Sequence, residues 1–496
     1  MQNQPHKEMD EKRLERQHSL GKLSVWERIQ ILFDEGTFVE VDDFADGPGK
    51  YAKFGDGVVT GYGKINGRIA YISAQDFTIR GGTLGAIHAQ KICRIMDMAL
   101  AAKAPYISIY DGGGARIEEG VAALDATGGI FLRHTKNSGV IPQIACILGP
   151  CAGGACYSPA LSDFIFMTEK TSQMFITGPA VVKEVIGEEI SIEDLGGARI
   201  HEATSGVASI VYPDDVACLK GVRDLLQYLP QHSGEKPAVV AGEAVDASAS
   251  LEKIVPTNPK TAYDVREVIT AFADKGSFFE IQKNFAKNVV VGLLRLDGSV
   301  VGVVANQPNW MAGALDVDAS DKAARFVRFC DGFNIPLLSL VDVPGYMPGS
   351  KQEQLGIIRH GAKLLYAFSE AQVPKVTLVM RKAFGGAYVA MNSKNIGADY
   401  VYAWPMAQIA VMGAEGAVRI LYKKELKAAV QPEKFLQEKT RVYEDKYLNP
   451  RAGVANGTID EIIPISTTRE RLSRAFESLR GRASFKGEKS HGNIPL

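Results

Sequence analysis

Apolar residues fall along this chain in two alternating patterns. Short unbroken runs, Ile141-Pro-Gln-Ile-Ala-Cys-Ile-Leu148 and Val373-Pro-Lys-Val-Thr-Leu-Val-Met380, read as buried strands. Segments 84–103 and 317–333 read as helices, each followed by a further apolar strand at 105–110 and 336–341. Continuous apolar strands between helices predict an α/β fold with a largely parallel sheet covered on its faces. A β-rich opening, Gly57-Val-Val-Thr-Gly and Arg68-Ile-Ala-Tyr-Ile-Ser, precedes the alternation. Near the start, Ser24-Val-Trp-Glu27 fits a capping box with Ser24 as N-cap. Trp26, Ile29, Ile31 and Leu32 carry that helix to Asp34-Glu35-Gly36, where it should stop.

The pattern then repeats. Gly36-Thr-Phe-Val-Glu-Val41 is echoed by Gly276-Ser-Phe-Phe-Glu-Ile281, and afterwards an offset of 231 holds without a gap. It pairs Val58 with Val289, Gly67 with Gly298, Gly82 with Gly313, Lys91 with Lys322, Pro105 with Pro336, Asp111 with Asp342 and Gly114 with Gly345. At an offset of 232, Pro142 meets Pro374 and Gly153-Gly-Ala155 meets Gly385-Gly-Ala387. Turn residues in fixed phase predict two homologous domains, 1–240 and 241–496, joined within the small, polar stretch 229–263.

Ligands of such sheets sit beyond the strand C-terminal ends. Those ends carry four glycine-rich loops: Asp111-Gly-Gly-Gly-Ala-Arg116, Gly149–Cys156, Asp342-Val-Pro-Gly-Tyr-Met-Pro-Gly349 and Arg381–Tyr388. Gly153-Gly-Ala and Gly385-Gly-Ala each follow a strand and open a small-residue helix. Glycine lets a ligand reach the main chain, and the first turn of a helix offers N–H groups without an internal partner. Two such turns could hold two oxyanions. There is no Walker loop, Gly-x-Ser-x-Gly elbow or His-Glu-x-x-His, and Asp111-Gly-Gly-Gly lacks the spacing of a dinucleotide fingerprint. Many main-chain donors and few evident acids or bases favour a reaction whose difficulty is a developing oxyanion, such as a thioester enolate.

Composition narrows the class. The 496 residues suit two or three domains, and 46% apolar with 23% charged residues is the balance of a globular protein. A formal net charge of −1 offers no basic field for nucleic acid or anionic lipid. With no apolar leader and no membrane-length apolar run, a cytoplasmic protein without membrane insertion is expected. The six cysteines form no Cys-x-x-Cys pair, and neither a metal site nor a disulfide framework is expected. Cys151, beside the glycine turn, reads as apolar filler rather than a nucleophile, because no His or acid stands near it in the chain.

Gly149-Pro-Cys-Ala-Gly-Gly-Ala-Cys-Tyr-Ser-Pro-Ala-Leu-Ser-Asp163 and Asp111-Gly-Gly-Gly-Ala-Arg-Ile-Glu-Glu-Gly120 resemble the N-domain signature of biotin-dependent acyl-CoA carboxyltransferases. Asp342–Gly349, Gly356-Ile-Ile-Arg-His-Gly-Ala-Lys363, Arg381-Lys-Ala-Phe-Gly-Gly-Ala-Tyr388 and the segment from Ala403-Trp-Pro to Val411-Met-Gly-Ala414 resemble its C-domain. The similarity runs from about Arg16 to Leu496 and is greatest to propionyl-CoA carboxylase β and methylmalonyl-CoA decarboxylase α subunits. The resemblance implies two tandem crotonase-like (ClpP/crotonase) carboxyltransferase domains, assembled as a hexamer, a trimer of dimers. It implies that the N–H groups of Gly153 and Gly154, with the loop Gly113, Gly114 and Ala115, hold the acyl-CoA thioester. Gly385, Gly386 and Ala387 would hold the ureido oxygen of biotin. Carboxybiotin would release its carboxyl group as nascent CO2, the freed biotin nitrogen would take the acyl-CoA α-proton, and the enolate would capture the CO2. The resemblance also implies the reverse direction, as in a sodium-pumping decarboxylase. No Ala-Met-Lys-Met biotinylation site and no ATP-binding half occur. The biotinylated carrier, and the biotin carboxylase or membrane decarboxylase subunits, are therefore expected on other chains. Glu118 and Asp125-Ala-Thr-Gly-Gly-Ile depart from the family pattern near the expected acyl pocket, leaving the acyl group open beyond propionyl-CoA or methylmalonyl-CoA.

Rival roles are simpler to assign structurally. Glu118 and Glu119 could serve as the paired acids of an enoyl-CoA hydratase, but adjacent helical residues point apart. His360 reads as a helix-surface or interface residue. Asp399 reads as an acceptor of main-chain N–H groups at a strand end, and Tyr388 and Trp404 as packing. A non-catalytic assembly scaffold would be marked by bulky residues at the two turns, and both keep their glycines.

Overall fold

The structure, a computed structural model, describes residues 11–42, 55–243, 248–482 and 494–495. The chain divides into two compact units between Pro237 and Ala238. In the first unit, strands β1 (Val39–Val41), β2 (Val58–Ile65), β3 (Arg68–Gln75), β4 (Tyr106–Gly112), β5 (Gln143–Ala152), β6 (Phe164–Thr168) and β8 (Ile210–Tyr212) lie in that order. Strand β7 (Gln173–Phe175) pairs with the end of β5. The first three strands are antiparallel, and every later pairing is parallel.

The second unit repeats this sheet with β9 (Phe279–Ile281), β10 (Val289–Leu296), β11 (Ser299–Asn306), β12 (Leu337–Val343), β13 (Lys375–Phe384), β14 (Tyr400–Ala403) and β16 (Glu461–Ile462). Strand β15 (Gln408–Ala410) pairs with the end of β13 as β7 does with β5. The β2–β3 and β10–β11 hairpins turn on Asn66-Gly67 and Asp297-Gly298, all four with positive φ. Left-handed residues at both central positions match the twist of the flanking strands.

The sheets are cored from both faces. Ile92, Ile95, Met96 and Ala99, on the helix Ala86–Ala102, pack with Tyr71 and Tyr106 in the first unit. Leu338, Leu340, Val376 and Leu378 meet Val268, Ile269 and Phe272 of the helix Val265–Phe272 in the second. The expected helices 84–103 and 317–333 are Ala86–Ala102 and Val317–Gly332. The capping box forms as expected: Ser24 accepts from the Glu27 N–H, and the Glu27 carboxylate accepts from the Ser24 N–H. The polar stretch 229–263 differs from a plain linker. It contains the helix Ser248–Ile254, and Leu251 and Val255 are buried in the second unit's core. Two apolar residues in a polar segment suffice when one face meets a core that other elements have formed. Residues 244–247, and 483–493 near the end of the stretch that carries the resemblance, lie outside the described residues.

Candidate active site

In each unit, one buried carboxylate sits where two central strands fall out of step. Tyr110 pairs with Ile147 and Gly112 with Cys151, so β5 carries extra residues opposite Asp111. Val341 pairs with Val379 and Val343 with Ala383, leaving the same bulge opposite Asp342. Bulges re-aim the chain, and here they precede the glycine turns. Both carboxylates are fully buried and must be neutralised there. Asp111 receives Lys22 Nζ at 2.7 Å, Arg28 Nη1 at 2.9 Å and Gln17 Nε2 at 3.1 Å, all from the N-terminal segment. Asp342 receives Arg381 Nε at 2.7 Å from its neighbouring strand and the Tyr263 hydroxyl at 3.1 Å. Arg381 corresponds to Gly149, and a Cβ on Gly149 would lie 2.0 Å from Asp111 Oδ1. The first unit therefore has no room for a side chain there and imports its arginine.

After the bulge, β5 ends at Ala152 and a short 3-10 turn, Gly153–Cys156, begins. Strand β13 ends at Phe384 and the helix Gly385–Ala390 begins. Gly153 and Gly385 have φ of +69° and +61°, the left-handed region that glycine enters without penalty. The chain thereby turns sharply and points the N–H groups of the next residues outward. No carbonyl of the same helix can reach the N–H groups of its first turn, which here include those of Gly154, Gly386 and Ala387. Gly154 and Gly386 are exposed, and a Cβ on either would meet nothing within 4 Å. Ala387 is buried through its methyl.

The loop after β4 completes the first corner. Gly113 and Ala115 are exposed, while Gly114 is buried with φ +93°. A Cβ on Gly114 would lie 2.8 Å from Ala152 O, so this loop touches the residue before Gly153. Leu84 N–H donates to Gly114 O and Arg116 N–H to Leu84 O, both at 2.8 Å. Each corner thus offers outward N–H groups on a rigid strand end, an arrangement that stabilises negative charge on a carbonyl oxygen.

The other candidates are occupied elsewhere. Cys151 is 1% exposed; its neighbour Cys156 and burial push its thiol well above the ordinary value, so it is inert filler. Glu119 tends upward through burial, but the Ala86 N–H and the Arg116 guanidinium hold it below the usual carboxylate range. Glu118 is exposed, so the two glutamates do not converge. His360 lies with Nδ1 2.8 Å from Asp321 and Nε2 3.1 Å from Arg359 Nη2. Asp399 accepts the Lys375 N–H at 2.8 Å and pairs with Arg482, fastening the start of β13. Trp404 is a core residue whose Nε1 donates to Thr468 at 3.0 Å. Tyr388 is partly buried beside the second corner. The chain order conceals the ion pairs to Asp111 and the contacts of Asp56, because their partners lie 32 to 89 residues away. Among the described residues no group of His, Cys, Asp or Glu could hold a metal ion, and no helix is long and apolar enough to cross a membrane.

Comparison with known proteins bears on this geometry. The carboxyl transferase domain family matches residues 16–494. The chain is 51% identical to the methylmalonyl-CoA decarboxylase subunit alpha of Propionigenium modestum, over 98% of this chain and 95% of that one. It is 52% identical to the propionyl-CoA carboxylase beta chain of Roseobacter denitrificans, over 98% and 96%. Among solved structures it superposes on transcarboxylase 12S, a hexamer crystallised with methylmalonyl-coenzyme A and methylmalonic acid, with TM-score 0.94 and 47% identity over 98% of this chain and 94% of that one. The chain belongs to the carboxyl transferase family and is an acyl-CoA carboxyltransferase of the biotin-dependent kind.

Proposed function

We propose that the first unit binds a short acyl-CoA, propionyl-CoA or methylmalonyl-CoA, and that the second receives biotin carried on another protein. The observation that carries this reading is the pair of equivalent corners, Gly153-Gly154 and Gly385-Gly386, where a side chain at Gly154 or Gly386 would meet nothing within 4 Å. In this reading the N–H groups of Gly153 and Gly154 hold the thioester oxygen, with Gly113, Gly114 and Ala115 against the same ligand. These donors bind an enolate oxygen more strongly than the neutral ester, which lowers the barrier to forming it. The second corner suits a ureido carbonyl, since Gly386 is exposed and its first-turn N–H groups face out. Gly385, Gly386 and Ala387 orient that ring and stabilise charge on its oxygen. Biotin, when bound through its carrier, supplies the carboxyl group and a ring nitrogen that accepts a proton. The chain then needs no side-chain base, which agrees with Glu119 and His360 being engaged elsewhere. The similarity to both decarboxylase and carboxylase chains supports chemistry that runs in either direction. By analogy with the 12S protein, the chain works as a hexamer.

The test mixes the purified chain with free biotin and carboxyl-labelled methylmalonyl-CoA. Transfer of label to biotin is expected; hydration of an enoyl-CoA offered in a parallel incubation, with no transfer of label here, would favour the hydratase alternative. Gly154→Val and Gly386→Val should each lower transfer by about 10²-fold or more, because the side chain fills the space the ligand needs and displaces it from the N–H groups, with the oligomer intact. A normal rate in either variant would refute the role given to that corner.

A further inference from the structure

The helix Ala86–Ala102 opens on Gly85, which has no side chain to cap it. Its caps arrive from distant segments. Glu119 Oε2 accepts the Ala86 N–H at 2.7 Å and Asp56 Oδ2 the His88 N–H at 3.0 Å. Arg116 ties the two carboxylates together. Its Nη1 donates to both oxygens of Asp56, at 2.9 and 3.0 Å, and to Glu119 Oε1 at 2.6 Å. Its Nη2 donates to Thr83 O at 2.9 Å. Asp56 and Arg116 are 2% and 3% exposed. Arg116 is also the residue next to Gly113-Gly114-Ala115, and its own N–H closes the backbone bridge to Leu84.

The second unit builds the same bridge, Leu315 with Tyr346, and the same helix without this network. At the offset of 231, Asp56, Arg116, Glu119 and His88 become Lys287, Met347, Ser350 and Ala319. There the N-cap is local, Asp316 Oδ1 accepting the Ala319 N–H at 2.9 Å, and the acceptor that comes from a distant segment is neutral, Gln352 taking the Val317 N–H at 3.1 Å. The fold therefore does not require buried ions at this place. Burying an Arg between two carboxylates is costly in desolvation and is weak evidence of a stabilising role. What the first unit gains is a loop fixed by a planar guanidinium fork.

We propose that Asp56, Arg116 and Glu119 are positioning residues that set the loop Gly113–Ala115 against the corner at Gly153-Gly154 for the acyl-CoA. This inference rests on the assignment of the first unit to acyl-CoA. Arg116 places the loop at its root, and Gly114 transmits that placement by resting on the Ala152 carbonyl. Misplacing a binding group by about 1 Å can cost up to about 10²-fold. The network should accordingly govern the acyl-CoA KM rather than the affinity for biotin.

Arg116→Met, which installs the second unit's residue, is compared with Glu119→Ala and Glu119→Gln in the assembled protein. Readouts are the KM for methylmalonyl-CoA, the KM for free biotin, kcat and the melting temperature. Glu119→Gln keeps one acceptor where Glu119 offers two, Oε2 to the Ala86 N–H and Oε1 to Arg116, so it should restore part of what Glu119→Ala loses. Arg116→Met and Glu119→Ala should raise the methylmalonyl-CoA KM by about tenfold or more, leaving the biotin KM unchanged. An unchanged methylmalonyl-CoA KM in the folded fraction of both variants would overturn the positioning role, whatever happens to stability. A parallel titration of methylmalonyl-CoA onto Gly154→Val separates the two ideas. Undiminished affinity there would overturn the acyl-CoA assignment and this proposal with it. Lost affinity there, with normal KM in the Arg116 and Glu119 variants, would overturn the positioning role alone.

Discussion

Adjacent glycines at each corner do different jobs. Gly153 and Gly385 hold left-handed backbone, and a Cβ on Gly385 would in addition lie 3.2 Å from Val411 O. Gly154 and Gly386 have neither constraint. Alanine at 153 or 385 should cost about 1–2 kcal/mol, because an L-residue in that region crowds its own carbonyl. The melting temperature should fall. Alanine at 154 or 386 should leave melting within about 0.5 kcal/mol of wild type yet reduce transfer, since its methyl projects into the space assigned to the ligand. Melting curves and transfer rates on the four variants check the separation. Equal melting temperatures across all four would refute the strain argument, and normal transfer at 154 and 386 would refute the open-cradle argument. The buried carboxylates make a related point. Asp111 and Asp342 occupy equivalent bulges but take their arginines from different segments, because Gly149 leaves no space for a side chain where Arg381 stands.

The helices Ala86–Ala102 and Val317–Gly332 share length and packing but differ in how their first turns are satisfied, and a pH dependence follows. His88 sits in the first turn of the former, fully buried, with Nδ1 3.0 Å from Asp56 O. Burial pushes its pKa down to about 3, and Arg116 and Lys91 push the same way; the Asp56 carbonyl and Glu119 oppose them. The folded value lies below the ordinary 6.5, so between them the unfolded chain binds a proton that the folded chain refuses. Stability present above pH 6.5 is therefore lost as pH falls towards 3. Each tenfold difference in proton affinity contributes about 1.4 kcal/mol. Urea unfolding followed between pH 7.5 and 4.5 should show the loss, and His88→Gln should flatten the slope; an unchanged slope would remove His88 from the account. Much at this scale was legible beforehand. Ser24 and Glu27 announce their cap because a capping box is local, and the 231 offset places the two sheets in register because turn residues recur in phase. The Asp56–Arg116–Glu119 network was not legible. Asp56 lies 60 residues from Arg116, and only the fold joins them. The helix Ser248–Ile254 was missed for the opposite reason: its few apolar positions acquire meaning only from the core they enter. Gly153, Gly154, Gly386 and Ala387 could be singled out because a Gly-Gly-Ala after an apolar strand states its geometry locally.

Each unit, taken by itself, leaves apolar side chains uncovered beside its glycine corner. In the first, Ile117, Val121 and Leu124 are exposed near the start of the helix Val121–Asn137, which meets the corner through Phe131 and Tyr157, ring centroids 6.2 Å apart. In the second, Leu355 is exposed just before the helix Ile357–Glu370, Ile358 on that helix and Val389 on the helix Gly385–Ala390. Apolar groups gathered around a functional site are more than the scattered exposure of an ordinary surface, and they mark contact surfaces. On the proposal that the chain assembles, we assign these faces to contacts with another copy. Val121 and Ile358 are 80% and 79% exposed, so glutamate at either place adds charge without entering a core. A charge trapped at the centre of a desolvated contact costs several kcal/mol unless it finds a partner. Val121→Glu and Ile358→Glu should therefore yield smaller species in light scattering after gel filtration, with the secondary structure and melting of the units retained. Transfer should fall with the fraction assembled, and rise again at protein concentrations high enough to restore assembly. Monomers with full transfer activity would show that each chain works alone, and a wild-type-sized assembly from both variants would show that these faces are not where copies meet.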